Sequence, residues 1–209
     1  MEILGKLLGG IQRVKIMRLF LLNPEQAFDA EDIADRSRMQ KSVARSLANA
    51  LASMSLVKKK SFIKETENAR GKVKKKRVQG WCLNPEFPYI GELKQLLVEG
   101  EMFKRDEIAR RFRPAGRVHL LVVSGVFLQN SESRLDMLLV GDNLKKSYIQ
   151  KTVSVLESEL GKELSYAVFE TNDFKYRLGM YDKLLRDVFE YPHERLLTSK
   201  EFSTFALPN

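Results

Sequence analysis

The stretch from Gln40 to Ile63, QKSVARSLANALASMSLVKKKSFI, changes its periodicity partway along. Up to Met54 the pattern is helical. Val43, Leu47, Ala50, Leu51 and Met54 form one apolar stripe, and Lys41, Arg45 and Asn49 lie on another face. From Leu56 the chain reads as a strand, Leu-Val-Lys-Lys-Lys-Ser-Phe-Ile, and Val73 to Leu83 reads as a second strand. The charged tip between them, Lys64 to Lys72, contains Gly71. Between Lys58 and Arg77 stand ten basic residues and two acidic ones, Glu65 and Glu67.

Upstream, Ile11, Val14, Met17 and Leu21 keep helical spacing, with Arg13, Lys15 and Arg18 between them. Asn23-Pro24 ends that helix, because proline disfavours the α conformation at the residue before it. Asp29 suits an N-cap, with Asp32 at the third helical position, for a short helix ending near Arg36. A polar turn, Ser37-Arg38-Met39, then leads into the helix of Gln40 to Met54. Two helices joined by a short turn, the second polar on its outer face, form a helix-turn-helix layout.

This order of elements, with Ser42-Val43-Ala44-Arg45-Ser46-Leu47, Leu51 and Leu56-Val57-Lys58-Lys59, resembles the winged-helix module of ArsR/MarR-like regulators over residues 10–83. The resemblance implies that the third helix enters the DNA major groove and that the wing follows the backbone or the minor groove. Carried over residue by residue, Gln40, Lys41, Ser42, Arg45 and Asn49 would face base edges or nearby phosphates. Arg70, Lys72, Lys74, Lys75 and Lys76 would contact phosphates. A solvated charged hairpin face and a protein-interaction module are the competing readings.

The distribution of charge favours a polyanion. Residues 1–83 hold 18 Lys+Arg against 8 Asp+Glu; residues 84–116 hold 6 of each; residues 117–209 hold 12 against 13. The excess positive charge of the chain therefore belongs to its first 83 residues. An apolar fraction of 44% excludes disorder over the whole length. One Cys and two His exclude an internal disulfide and a Cys/His zinc site, so a reducing, cytoplasmic setting is expected. No apolar run reaches membrane-spanning length, and the opening Met-Glu-Ile-Leu-Gly-Lys, which lacks a basic region followed by an apolar core, is not expected to act as a secretion signal.

Residues 84–116 read as a connector. Asn84-Pro85-Glu86-Phe87-Pro88-Tyr89 is a rigid turn, followed by helices from Ile90 to about Glu99 and from about Met102 to Phe112. These helices fit spacer elements, packing between modules, or packing against a second copy of the chain. Beyond them, Val118 to Phe127 and Leu135 to Val140 read as strands. A helix from about Leu144 ends at Gly161, a C-cap, and Leu164 to Phe169 forms a third strand. Helical stretches from Asp173 and from Asp182 to Phe189 complete an α/β or α+β domain over 117–209.

Ser124-Gly125 followed by Ser133-Arg134-Leu135-Asp136-Met137-Leu138-Leu139-Val140 resembles the core of minimal nucleotidyltransferases of the DNA-polymerase-β-like superfamily. That resemblance implies three strand carboxylates holding two divalent ions. This chain departs from the pattern: Arg134 stands at the first carboxylate position and Ser165 at the third, leaving Asp136 alone. Glu132 and Glu170 are off the family's spacing. A structural reading of Asp136 pairs it with Arg134 or Arg117. His119, His193 and Cys82 offer no metal set, and no Gly-x-Ser-x-Gly, Walker or Rossmann signature occurs.

The expectation is therefore an α+β, homodimeric DNA-binding transcriptional regulator. It carries a winged helix-turn-helix over 1–83, a helical connector over 84–116 and a degenerate, non-catalytic nucleotidyltransferase-like domain over 117–209. Double-stranded DNA is the expected partner, with no cofactor, metal or membrane; the second domain is open to a small-molecule or protein partner. The alternatives are an active, antitoxin-like nucleotidyltransferase targeted by the winged helix, and an RNA-binding adaptor.

Overall fold

The computed structural model describes residues 2–67, 73–99, 105–130 and 132–203. The chain divides into two compact units, residues 1–102 with 155–162, and residues 103–154 with 163–209.

The first unit contains α1 (Glu2–Leu7), α2 (Ile11–Leu22), β1 (Ala27–Phe28), α3 (Ala30–Ser37), α4 (Lys41–Ser53), β2 (Val57–Glu67), β3 (Val73–Leu83) and α5 (Ile90–Lys94). A π-helical turn, Gln95–Glu99, continues α5. The antiparallel sheet has the order β1-β3-β2. The expected hairpin is present, with Lys64 opposite Lys76 and Lys59 opposite Trp81. Strand β1 pairs Phe28 with Trp81 and has no counterpart in the sequence reading, since two residues carry no alternation to detect.

Helix α2 is enclosed on more than one side. Val14, Ile16, Met17, Leu19, Phe20 and Leu21 are all buried, so the single stripe expected from Ile11, Val14, Met17 and Leu21 is too narrow; Ile11 itself is 44% exposed. Arg18, expected among the polar positions, is buried. Its Nε donates to the Leu97 carbonyl (2.7 Å) and its Nη1 to the Glu159 carbonyl (2.9 Å). Burial pulls its pKa down to about 10 against the opposing pull of Glu159. Asn23 Nδ2 likewise donates to the Gly161 carbonyl at 2.8 Å, and Lys15 Nζ to Ser158 Oγ at 3.0 Å. Three polar side chains of α2 and its C-cap thus serve segment 155–162: Arg18 and Asn23 bind carbonyls that a helix C-terminus leaves without an intrahelical partner, and Lys15 binds the Ser158 hydroxyl. Gly161 has φ +82°, and a Cβ there would meet the Leu19 amide at 2.5 Å.

Helix α3 begins as expected. Asp29 accepts from the Glu31 and Asp32 amides, and Asp32 returns a bond to the Asp29 amide, a complete capping box. Helix α4 packs through Ala44, Ala48 and Leu51, with Val43, Leu47 and Ala50 half-buried. Met54, assigned to the stripe from sequence, is 50% exposed. The seam is rotated because alanine, weak as a hydrophobic signal, lets α4 approach its neighbours closely. Leu97 and Val98 join the same core.

The second unit contains α6 (Arg105–Phe112), β4 (Arg117–Val123), β5 (Met137–Asp142), β6 (Tyr166–Glu170), α8 (Thr171–Gly179), α9 (Lys183–Glu190), β7 (Glu194–Thr198) and α10 (Lys200–Ser203). The intervening helix α7 (Lys146–Leu160) contributes its residues 146–154 here and the rest to the first unit. The mixed sheet has the order β6-β5-β4-β7. Strands β4 and β5 are antiparallel, and β5 and β6 are parallel. The strand expected to run to Phe127 stops at Val123, and a 3-10 turn, Gly125–Leu128, follows with Gly125 at φ +54°. Strand β7, which the sequence reading passed over, pairs with β4. Among the described residues no helix is long and apolar enough to cross a membrane.

Candidate nucleic-acid interface

A groove of about 920 Å³ opens between the start of α3, the outer face of α4 and the β2–β3 hairpin. Six cations line it: Lys41 and Arg45 from α4, Lys59 and Lys64 from β2, Lys76 and Arg77 from β3. The acids lining it are Asp29 and Glu31. Asn49 and Gln79 supply neutral polar groups, and Trp81 forms part of the wall.

The two acids are matched in place. Lys64 Nζ lies 3.0 Å from Asp29 Oδ2 and 2.7 Å from Asp32 Oδ1, with all three side chains largely screened from solvent. Burial alone would raise the Asp29 carboxyl, but the Asp32 amide, the Lys64 ammonium and the Glu31 amide hold it below the usual range. Burial would lower Lys64, but Asp32 and Asp29 raise it instead. Lys41 stands 3.6 Å from Glu31 on the surface. Arg77 Nε donates to Ser61 Oγ at 3.1 Å. Arg45, Lys59 and Lys76 have no carboxylate within ion-pair distance among the described residues.

Of the residues singled out from sequence, Lys41, Arg45, Asn49 and Lys76 line this groove. Gln40, at the N-cap position of α4, and Ser42 are exposed beside it. Lys74 and Lys75 are exposed on β3, and Lys75 pairs with Glu65 across the hairpin at 2.8 Å. Arg70 and Lys72 lie outside the described residues. The sequence reading missed Lys59, Lys64, Arg77, Gln79 and Trp81; pairing the two hairpin strands residue by residue would have set Lys59 beside Trp81 and Lys64 beside Lys76.

The second set of sequence-marked residues gathers around Asp136. Its Oδ1 accepts the Val126 amide and its Oδ2 the Ser165 amide, each at 2.8 Å. A side chain at Gly125 would strike Asp136 Oδ1. Ser124 Oγ donates to the Leu135 carbonyl, and Ser133 Oγ lies 3.1 Å from Ser124 Oγ and 2.7 Å from that same carbonyl. Arg134 turns away, pairing with Asp187 of α9 at 2.8 Å, so the expected pairing of Asp136 with Arg134 or Arg117 gives way to backbone amides. Both oxygens of Asp136 are thus committed to tying the turn after β4 to the start of β6. Ser165 meets it through its amide.

His119 bridges two partners, Asp142 Oδ2 through Nε2 and Ser199 Oγ through Nδ1, both at 3.1 Å, and stacks on Phe202. Among the described residues no group of three His, Cys, Asp or Glu is arranged to hold a metal ion. Compared with known protein families, curated proteins and solved structures, the chain matches none.

Proposed function

We propose that the protein is a DNA-binding transcriptional regulator whose N-terminal unit is a winged helix-turn-helix acting as a homodimer on duplex DNA. The observation that carries the reading is the groove itself. Its acids are neutralised within the fold, while Arg45, Lys59 and Lys76 stand without carboxylate partners among the described residues, beside Asn49 and Gln79. Cations fix a protein on the phosphate backbone, and an arginine and an amide one helical turn apart on α4 can address base edges. If Arg45, Lys59, Lys76 and Arg77 each neutralise one phosphate, log K against log salt slopes at about −4.

The C-terminal unit, in this reading, is a nucleotidyltransferase-like scaffold without catalysis. What supports this is the engagement of both Asp136 oxygens by amides and the turning of Arg134 to Asp187. A gel-shift titration of the full chain against random-sequence duplex at ~50 mM salt tests the DNA reading. Retardation that weakens steeply with salt supports it, and its absence rejects it.

A further inference from the structure

The groove between α4 and the hairpin has an apolar component beside its cations. Part of its wall is Trp81, the single tryptophan of the chain, 7% exposed, whose indole N–H is buried with no hydrogen-bond partner among the described residues. A buried donor left without an acceptor is destabilising, and such orphans call for an explanation. Lys59 sits opposite Trp81 across the hairpin, with Val78 and Gln79 nearby on β3. Lys64 and Lys41 already answer Asp29 and Glu31, so the field felt by an incoming molecule is that of Arg45, Lys59, Lys76 and Arg77. A volume of about 920 Å³ is ample for a small ligand.

One chemical class combines what these features ask for: several negative charges for the cations, a planar apolar face, and ring acceptor atoms for an indole N–H and a glutamine. We infer that the groove binds a free nucleoside di- or triphosphate, its phosphates on Arg45, Lys59 and Lys76 and its base on the Val78–Trp81 wall. Binding itself stands apart from the duplex reading. Its consequence rests on that reading: nucleotide and DNA draw on the same cations, so the nucleotide displaces the operator.

The lone tryptophan makes the test direct. The full chain is titrated with ATP, GTP, CTP and UTP, and separately with inorganic tripolyphosphate, following Trp81 emission and, in parallel, heat by calorimetry. Displacement of a labelled duplex is measured in the same buffer. The expected result is saturable binding of at least one nucleotide at least about tenfold tighter than tripolyphosphate, weakened several-fold in Arg45→Ala and in Lys76→Ala, with release of duplex over the same concentration range. Equal binding of tripolyphosphate and nucleotide overturns the inference, because the wall then contributes nothing. Silence in both signals with every nucleotide, while duplex is still retarded, overturns the nucleotide site and leaves the DNA reading in place. Nucleotide binding without duplex binding does the reverse.

Discussion

Lys64 and Lys76 face each other across the hairpin, both lining the groove, yet removing them should have opposite signatures. Lys64 is held at 3.0 and 2.7 Å by Asp29 and Asp32, at 22% side-chain exposure. Charge-assisted bonds of this kind contribute about 1.5–3 kcal/mol each in favourable cases. Partial exposure screens them, so we expect Lys64→Ala to lower unfolding free energy by about 2 kcal/mol. Asp29 and Asp32 would then face each other without a cation at the α3 capping box, adding to the loss. Lys76 has no such partner, and Lys76→Ala should stay within about 0.5 kcal/mol of the parent, as surface changes do. On DNA the order inverts: Lys76→Ala should flatten the salt slope by about 0.9, the contribution of one phosphate contact, and Lys64→Ala should leave that slope unchanged. Urea denaturation and anisotropy over a series of salt concentrations give the two readouts.

The same triad sets a pH signature. Asp29 is depressed, so its contribution is complete above the ordinary carboxylate value of 3.8 and is lost as pH falls through its folded value. Lys64 is raised, so its contribution is complete below 10.5 and is lost as pH climbs through its folded value. Lys64→Ala should flatten both limbs of the stability profile. A Lys64→Ala protein with parental stability and a reduced slope would refute the reasoning, because Lys64 would then be a phosphate ligand rather than a tether.

Three further substitutions probe separate parts of the fold. At Arg18, whose burial lowers its pKa to about 10, Arg18→Met removes the buried charge but orphans the Leu97 and Glu159 carbonyls, whereas Arg18→Lys keeps a buried charge that cannot span both; denaturation should rank the Met variant above the Lys variant, the latter losing about 3–5 kcal/mol. Gly80→Ala drives a Cβ into the Phe28 carbonyl and to within 2.8 Å of Phe62 Cε1, and should cost about 1–3 kcal/mol with faster amide exchange along the β1–β3 pair. Asp136→Ala orphans the Val126 and Ser165 amides and should cost about 2–4 kcal/mol while sparing the DNA salt slope; parental stability in this variant would refute the bracing role assigned to the carboxylate.

Where the sequence was legible, a local rule was strong. The Asp29 capping box, the hairpin of residues 57–83, the Gly161 terminus and the crossover from β5 through α7 to β6 each follow from a short pattern that needs no distant partner. The misses share the opposite property. Strand β1 exists only because β3 offers it an edge, β7 only because β4 does, and the rotated seam of α4 follows from which neighbours its alanines meet. Arg18 is the extreme case. Between apolar positions on a helix an arginine reads as surface, and nothing local announces that carbonyls 79 and 141 residues away will accept its guanidinium.

The candidate interface shows the same division within a single charge run. Composition could say that the hairpin is basic; it could not say which cations are at liberty. Lys64 belongs to the run by sequence and to the α3 cap by geometry, and Lys75 is answered by Glu65 across the hairpin. Arg45, Lys59 and Lys76 have no carboxylate within ion-pair distance among the described residues, and in the proposed DNA reading their charge goes to phosphates. A net charge measures the sum of these roles, while binding depends only on the last group. Neutralising Lys64 and neutralising Lys76 change the total by the same unit, so any difference in salt slope between the two variants measures geometry alone. If charge count were what governed affinity, the two would be indistinguishable on DNA.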